Sequence, residues 1–158
     1  MKKKGLGVLL SAAMVVGLLG GCGAPAAADT TEKTDEGKTE AAAEGIAKED
    51  IKVGFVHISD PSDMGYTYNQ EIGTKEMQEA LGLEDDQIIN KYNVPEDAEC
   101  DTALRELVDA GCNIIFATSF GFEDYVKEVA AEYPEVQFCH ATGYQASDAG
   151  LDNMHNYF

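Results

Sequence analysis

Between residues 51 and 142 the chain alternates four apolar runs with three amphipathic ones, and this order constrains the fold more than any other feature. "IKVGFVHI" (51–58) is almost continuous in β-branched, aromatic and aliphatic residues, the pattern of a strand buried on both faces. "QIINKYNV" (87–94) reads as a second strand, "CNIIFAT" (112–118) as a third, again apolar throughout, and "VQFCHAT" (136–142) as a fourth, while "LDNMHNYF" (151–158) has the start of a fifth. The segments between them read as helices. In 66–81, Gly73, Met77, Ala80 and Leu81 share one face, and Gly82 is a stop signal. In 95–111, Pro95 suits a first-turn position, acids crowd the start, and Ala103, Leu104, Leu107 and Val108 form the apolar stripe. In 122–133 the stripe is Phe122, Val126, Val129 and Tyr133, stopped by Pro134.

Strand, helix and strand joined by short links predict an α/β fold: a doubly wound parallel sheet with helices on both faces. Ligands of such open sheets lie at the C-terminal ends of the strands, near the switch in winding direction. For a strand order 2-1-3-4 the switch falls between the first and third strands. The facing loops are then "HISDPSDMGY" and "ATSFGF".

Those loops offer aromatic rings beside neutral hydroxyls and a few carboxylates. The first carries Asp60, Ser62, Asp63, Met64 and Gly65, leading into Tyr66, Thr67 and Tyr68. The third-strand loop carries Thr118, Ser119, Phe120 and Gly121, and the fourth carries "HATGYQ". "GYTYNQEIG" lacks the spacing of a phosphate-binding glycine loop, and no nucleophile-elbow pattern occurs. Rings with neutral donors and acceptors suit a flat heterocycle better than a phosphate. Each residue also has a plainer role: a helix-start acid such as Asp63 satisfies backbone amides, and a loop phenylalanine such as Phe120 plugs a core. His140 reads as structural, and His57 is ambiguous.

The N-terminal part belongs to export rather than to the fold. Residues 1–21 show Lys2, Lys3 and Lys4, then an apolar stretch (6–19) too short for the roughly 20 residues of a membrane span, then small residues. "LGGC" (19–22) is similar to a bacterial lipobox, which makes Cys22 the lipidated first residue of the mature chain. Residues 22–45 have Ala, Thr, Glu and Gly in place of large apolar side chains, the composition of a disordered tether. The folded domain is expected over 46–158. The net charge of −18, three units more negative once Lys2–Lys4 are removed, argues against nucleic acid as a partner. Scattered histidines (His57, His140, His155) give no metal-ligand spacing, and no cofactor is expected. Cys112 and Cys139 flank strands as small buried residues. A disulfide among Cys100, Cys112 and Cys139 is left open by their spacing.

"KVGFVHISDPSDMGYTYNQEIGTKEM", "NVPED", "LVDAGCNIIFATSFGFEDYVKEVAAEYPEVQFCHATGY" and "NYF" together resemble the basic membrane protein (BMP) family of PnrA-like lipoproteins, from about residue 52 to 158. "TSFGF" and "HATGY", in that order, carry most of the resemblance. It implies a lobe like that of a type I periplasmic binding protein and a role as the substrate-binding subunit of an ABC importer. It implies a purine nucleoside or base as ligand, permease and ATPase subunits as partners, and attachment to the outer face of the cell membrane. It also implies ligand-binding positions: Tyr66 for stacking, Thr67 and Tyr68 beside it, Asp63 fixing the loop or touching the ligand, and Ser119, Phe120 and Gly121 opposite. Thr142, Gly143 and Tyr144 match the fourth loop, expected mainly as support. His57 stands where the family usually has tyrosine. The family has two hinged lobes, and residues 46–158 correspond to part of the first, so weak or absent binding by this chain alone is expected. Another heterocycle such as riboflavin, a signalling lipoprotein, or an α/β enzyme using Asp63, Ser119 and His140 are the alternatives.

Overall fold

The computed structural model describes residues 45–158. The leader, Cys22 and the stretch up to residue 44 lie outside the described residues. Five parallel strands form one sheet: β1 (Val53–Val56), β2 (Ile88–Lys91), β3 (Ile114–Ala117), β4 (Gln137–Ala141) and β5 (Met154–Tyr157), in the order β2-β1-β3-β4-β5. Helices α1 (Tyr66–Leu81), α2 (Ala98–Asp109) and α3 (Glu123–Glu132) and the single turn α4 (Ala146–Ala149) connect them. The order contains the expected 2-1-3-4, with the fifth strand added at the β4 edge. Val53 pairs with Ile88 on one side and Ile114 on the other, so β1 is an interior strand and its loop sits at the switch.

The two faces of the sheet are packed differently. On one, α2 and α3 cover Val56, Ile115, Ala117 and Phe138, with Leu104, Leu107, Phe122, Val126 and Val129 fully excluded from water. Each such Val, Leu or Phe contributes about 1.5–3 kcal/mol through burial. On the other, Val53, Phe55 and Leu83 pack with Met77 of α1 and with Ile114 and Phe116. Rings line this second face across the strands. Tyr92 stacks on His57 at 5.0 Å, Phe55 on Phe116 at 5.1 Å, and Tyr157 meets the edge of Phe116 at 5.8 Å.

Several expectations change at this level. Helix α1 has the predicted bounds, but the face proposed for it is wrong: Gly73 and Ala80 are exposed, Leu81 is 55% exposed, and of the four only Met77 packs on the sheet. Its buried residues are Thr67 and Thr74, a ridge continued by Met77. Two of its three inward residues are threonines, so apolarity did not mark the ridge. Helix α2 starts at Ala98 and not at Pro95, because the Asp97 carboxylate accepts from the Glu99 amide at 2.9 Å and sets the N-terminus there. Cys100 joins the α2 stripe, and Val108 is only partly buried. Tyr133 is likewise partly buried, at the end of α3. Cys100, Cys112 and Cys139 are all unpaired. Burial pushes the Cys100 thiol up to about 12 and that of Cys112 up to about 11, which suits packing rather than reactivity.

Candidate ligand-binding site

The C-terminal ends of the strands gather four loops, and backbone strain concentrates there. Among the described residues, three other than glycine hold a left-handed backbone: Met64 after β1 (φ 49°), Asn93 after β2 (φ 57°) and Thr142 after β4 (φ 60°). A β-branched residue such as Thr142 adopts this conformation only when its surroundings enforce it. Its amide donates to the Tyr157 carbonyl at 2.8 Å, and its hydroxyl donates to the Ala141 carbonyl at 2.7 Å.

Asp63 organises the first loop. One carboxylate oxygen accepts from the amides of Gly65 (2.9 Å) and Tyr68 (3.0 Å), and the other accepts from the Thr67 amide (2.8 Å). The amide of Gly65, above all, holds this carboxyl below the usual range for aspartate. The residue immediately before α1 is Gly65, which has no side chain to cap it, so Asp63 supplies the missing acceptor. Of the two roles open to Asp63, the geometry supports fixing the loop.

Tyr66 is 47% exposed, and its hydroxyl donates to the Thr118 carbonyl at 2.5 Å. The ring is therefore presented at the mouth with its polar end occupied. Thr67 points inward and is fully buried. Its hydroxyl is the one buried side-chain polar atom among the described residues that has no hydrogen-bond partner. Tyr68 lies on the outside, 37% exposed.

The third-strand loop is braced by a residue that sequence reasoning did not single out. Glu96, after β2, accepts from the Ser119 hydroxyl at 2.6 Å and from the Gly121 amide at 2.8 Å. A Cβ at position 121 would crowd the Glu96 carboxylate, which would have to swing aside and give up this contact. Ser119 and Gly121 therefore spend their polar groups inside the protein, while Phe120 between them stands 58% exposed. Glu96 lies within "NVPED", but a partner 23 to 25 positions away leaves no local pattern to find it by.

Behind these loops lie two buried histidines. His57 Nε2 donates to the Asn90 side-chain oxygen at 3.0 Å, and Nδ1 lies 3.3 Å from the Thr118 hydroxyl. Burial holds its pKa below 6.5, so it packs as a neutral ring between β2 and β3. His140 Nε2 donates to the Ser119 carbonyl at 2.8 Å, not to its hydroxyl. The Ser119 hydroxyl bonds to Glu96 and the Asp63 carboxylate to its own loop amides, so no nucleophile–base contact links Asp63, the Ser119 hydroxyl and the His140 ring.

The resulting site is an open face carrying Tyr66, Tyr68, Phe120 and Tyr144, the last 68% exposed. A depression of about 470 Å³ at the other end of the sheet is lined by acids such as Glu49 and Asp86 and has no ring to stack on a ligand.

The sequence model of the "ABC transporter substrate-binding protein PnrA-like" family matches residues 42–158. A purine-binding protein of Brucella abortus is 41% identical over 104 residues, covering 65% of this chain and 29% of its own length. TsgA13 of Haloferax volcanii, named as a glucose-binding ABC transporter protein, is 28% identical over 133 residues, covering 81% of this chain and 32% of its own. Among solved structures, an ABC transporter solute-binding protein of Conexibacter woesei superposes with a TM-score of 0.57 at 15% identity, over 67% of this chain and 34% of that one. A transcriptional activator of the comK gene from Bacillus halodurans gives 0.52 at 22% identity, over 66% and 33%. These two structures speak to the fold alone. The chain spans about a third of the length of these relatives. With a family match over its whole folded part, the chain belongs to the PnrA-like ABC transporter substrate-binding protein family.

Proposed function

We propose that this chain is part of the extracytoplasmic substrate-binding lipoprotein of an ABC importer, capturing a purine nucleoside or base and handing it to a permease driven by an ATPase. Cys22 would carry the lipid that holds it to the outer face of the membrane. Capture and delivery need no covalent chemistry, and the site carries out none in this reading.

The observation that supports it best is the set of solvent-exposed rings, Tyr66 and Phe120 foremost, held on braced loops on either side of the strand-order switch. A flat heterocycle gains from stacking on rings whose positions are already fixed. Asp63, Thr67, Ser119 and Gly121 contribute as supports of those rings. The purine-binding relative supports this ligand class, while the relative named for glucose binding supports a sugar as the second reading, since sugars also lie against aromatic faces. Riboflavin is a further flat candidate.

An open face encloses little of a ligand, so affinity on the order of millimolar is expected of this chain alone. Saturation-transfer NMR with adenosine, riboflavin and glucose suits that range. The proposal expects saturation of the purine-ring protons of adenosine, competed by adenine and unaffected by glucose. Transfer to glucose alone would replace the purine reading with the sugar one.

A further inference from the structure

We infer that Glu96 does more than brace the third-strand loop: its second carboxylate oxygen, Oε2, accepts an N–H from the edge of the heterocycle and so selects a purine that carries an exocyclic amine. This rests on reading the open face as a heterocycle site.

The brace uses only half of the carboxylate. The Ser119 hydroxyl donates to Oε1 at 2.6 Å, and the Gly121 amide donates to the same oxygen at 2.8 Å. Oε2 accepts from no protein group among the described residues, and none of the ion pairs among them involves Glu96. The side chain is exposed. Ser119 and Gly121 flank Phe120, so the unspent oxygen is held beside the stretch of backbone that presents the exposed ring. The backbone of Glu96 is held as well. On one side the amide of buried Val94 donates to the His57 carbonyl at 3.0 Å, and on the other Asp97 caps α2.

The Ser119 hydroxyl, above all, holds the Glu96 carboxyl below its ordinary range, with the Gly121 amide second, which keeps it ionised near neutral pH. An ionised carboxylate accepts and never donates. It gains from an N–H brought to it and repels the lone pair of a bare ring nitrogen. A purine edge with an amine offers that N–H, and the same edge without the amine does not. Charge strengthens such a bond, and an acceptor already fixed by two donors needs little further ordering to make it. A site built around a hydrogen bond discriminates against the analogue that cannot form it.

The test is a pair of NMR titrations of the full chain, with adenosine and with purine riboside, which differ only in the exocyclic amine. Ribose contacts are common to both and cancel in the ratio. The parent should bind adenosine about three- to tenfold more tightly. Glu96→Gln keeps an oxygen for Ser119 and Gly121 and puts an NH₂ group in place of Oε2. The ratio should then fall to about one, while the amide signals of Ser119 and Gly121 stay near their parent positions. If the parent binds both nucleosides equally, a comparison that needs no variant, Glu96 is a brace alone. The same holds if Glu96→Gln keeps the parent's ratio. Either result overturns the proposed selection and leaves the heterocycle reading standing. If neither nucleoside binds the parent up to the solubility limit, the heterocycle reading fails and the selection with it.

Discussion

The hydroxyl of Tyr66 donates to the carbonyl oxygen of Thr118 at 2.5 Å, tying the first residue of α1 to the loop that leaves β3. This bond crosses the point where the strand order switches and adds to the β1–β3 pairing that holds the two halves of the candidate site together. Tyr66→Phe keeps the ring and removes the bond. It should lower the unfolding free energy by about 0.5–1.5 kcal/mol, measured by urea denaturation. An unchanged midpoint would mean that water replaces the phenol without loss.

Asp63 separates loop support from ligand contact. With three amides on its carboxylate, Asp63→Ala should lower the melting temperature of the ligand-free chain. A variant that melts like the parent but loses binding would show that the carboxylate serves the ligand instead.

Phe120 should behave in the opposite way. It is 58% exposed, so Phe120→Ala should alter stability by no more than about 0.5 kcal/mol. Binding of a purine should weaken by about 1–3 kcal/mol if the ring stacks on it. Equal affinities for parent and variant would remove Phe120 from the site.

His57 gives a prediction in pH. Its folded pKa is depressed below the ordinary 6.5 by burial, so the unfolded chain binds the proton more readily. Stability is therefore full above about 6.5 and falls as the pH drops from there toward the folded value. The paired carboxylates, such as that of Glu96, are held below their ordinary values and act only at lower pH. Denaturation between pH 7 and 5 should show the loss, and His57→Gln should flatten it. A parent profile that is level across this window would contradict the buried neutral ring.

The sequence carried the fold well because β1 and β3 are apolar throughout and the helix stops are marked by Gly82 and Pro134, whereas the edge strand β2, Ile-Ile-Asn-Lys, is only partly buried. The inward face of α1 was hidden because Thr67 and Thr74 do the packing that apolar residues usually do. Pro95 misled for a different reason: a favoured first-turn residue lost to a side-chain cap two positions later, at Asp97. In the site, the loops were found from topology and the rings from residue type. What could not be found were partners distant in sequence: Glu96 with Ser119, Glu123 with Tyr144, and Tyr66 with Thr118. These bonds convert a list of loop residues into a division of labour, with Asp63, Ser119 and Gly121 as mounts and Tyr66 and Phe120 as the presented surface.

The most direct test of the central claim is a map of backbone amide shifts in the full chain on titration with adenosine. The account predicts shifts that saturate, cluster in the loops of Tyr66 and Phe120, and leave the far end of the sheet around Glu49 and Asp86 unmoved. Shifts centred on that far end, or none up to the solubility limit of adenosine, would contradict it.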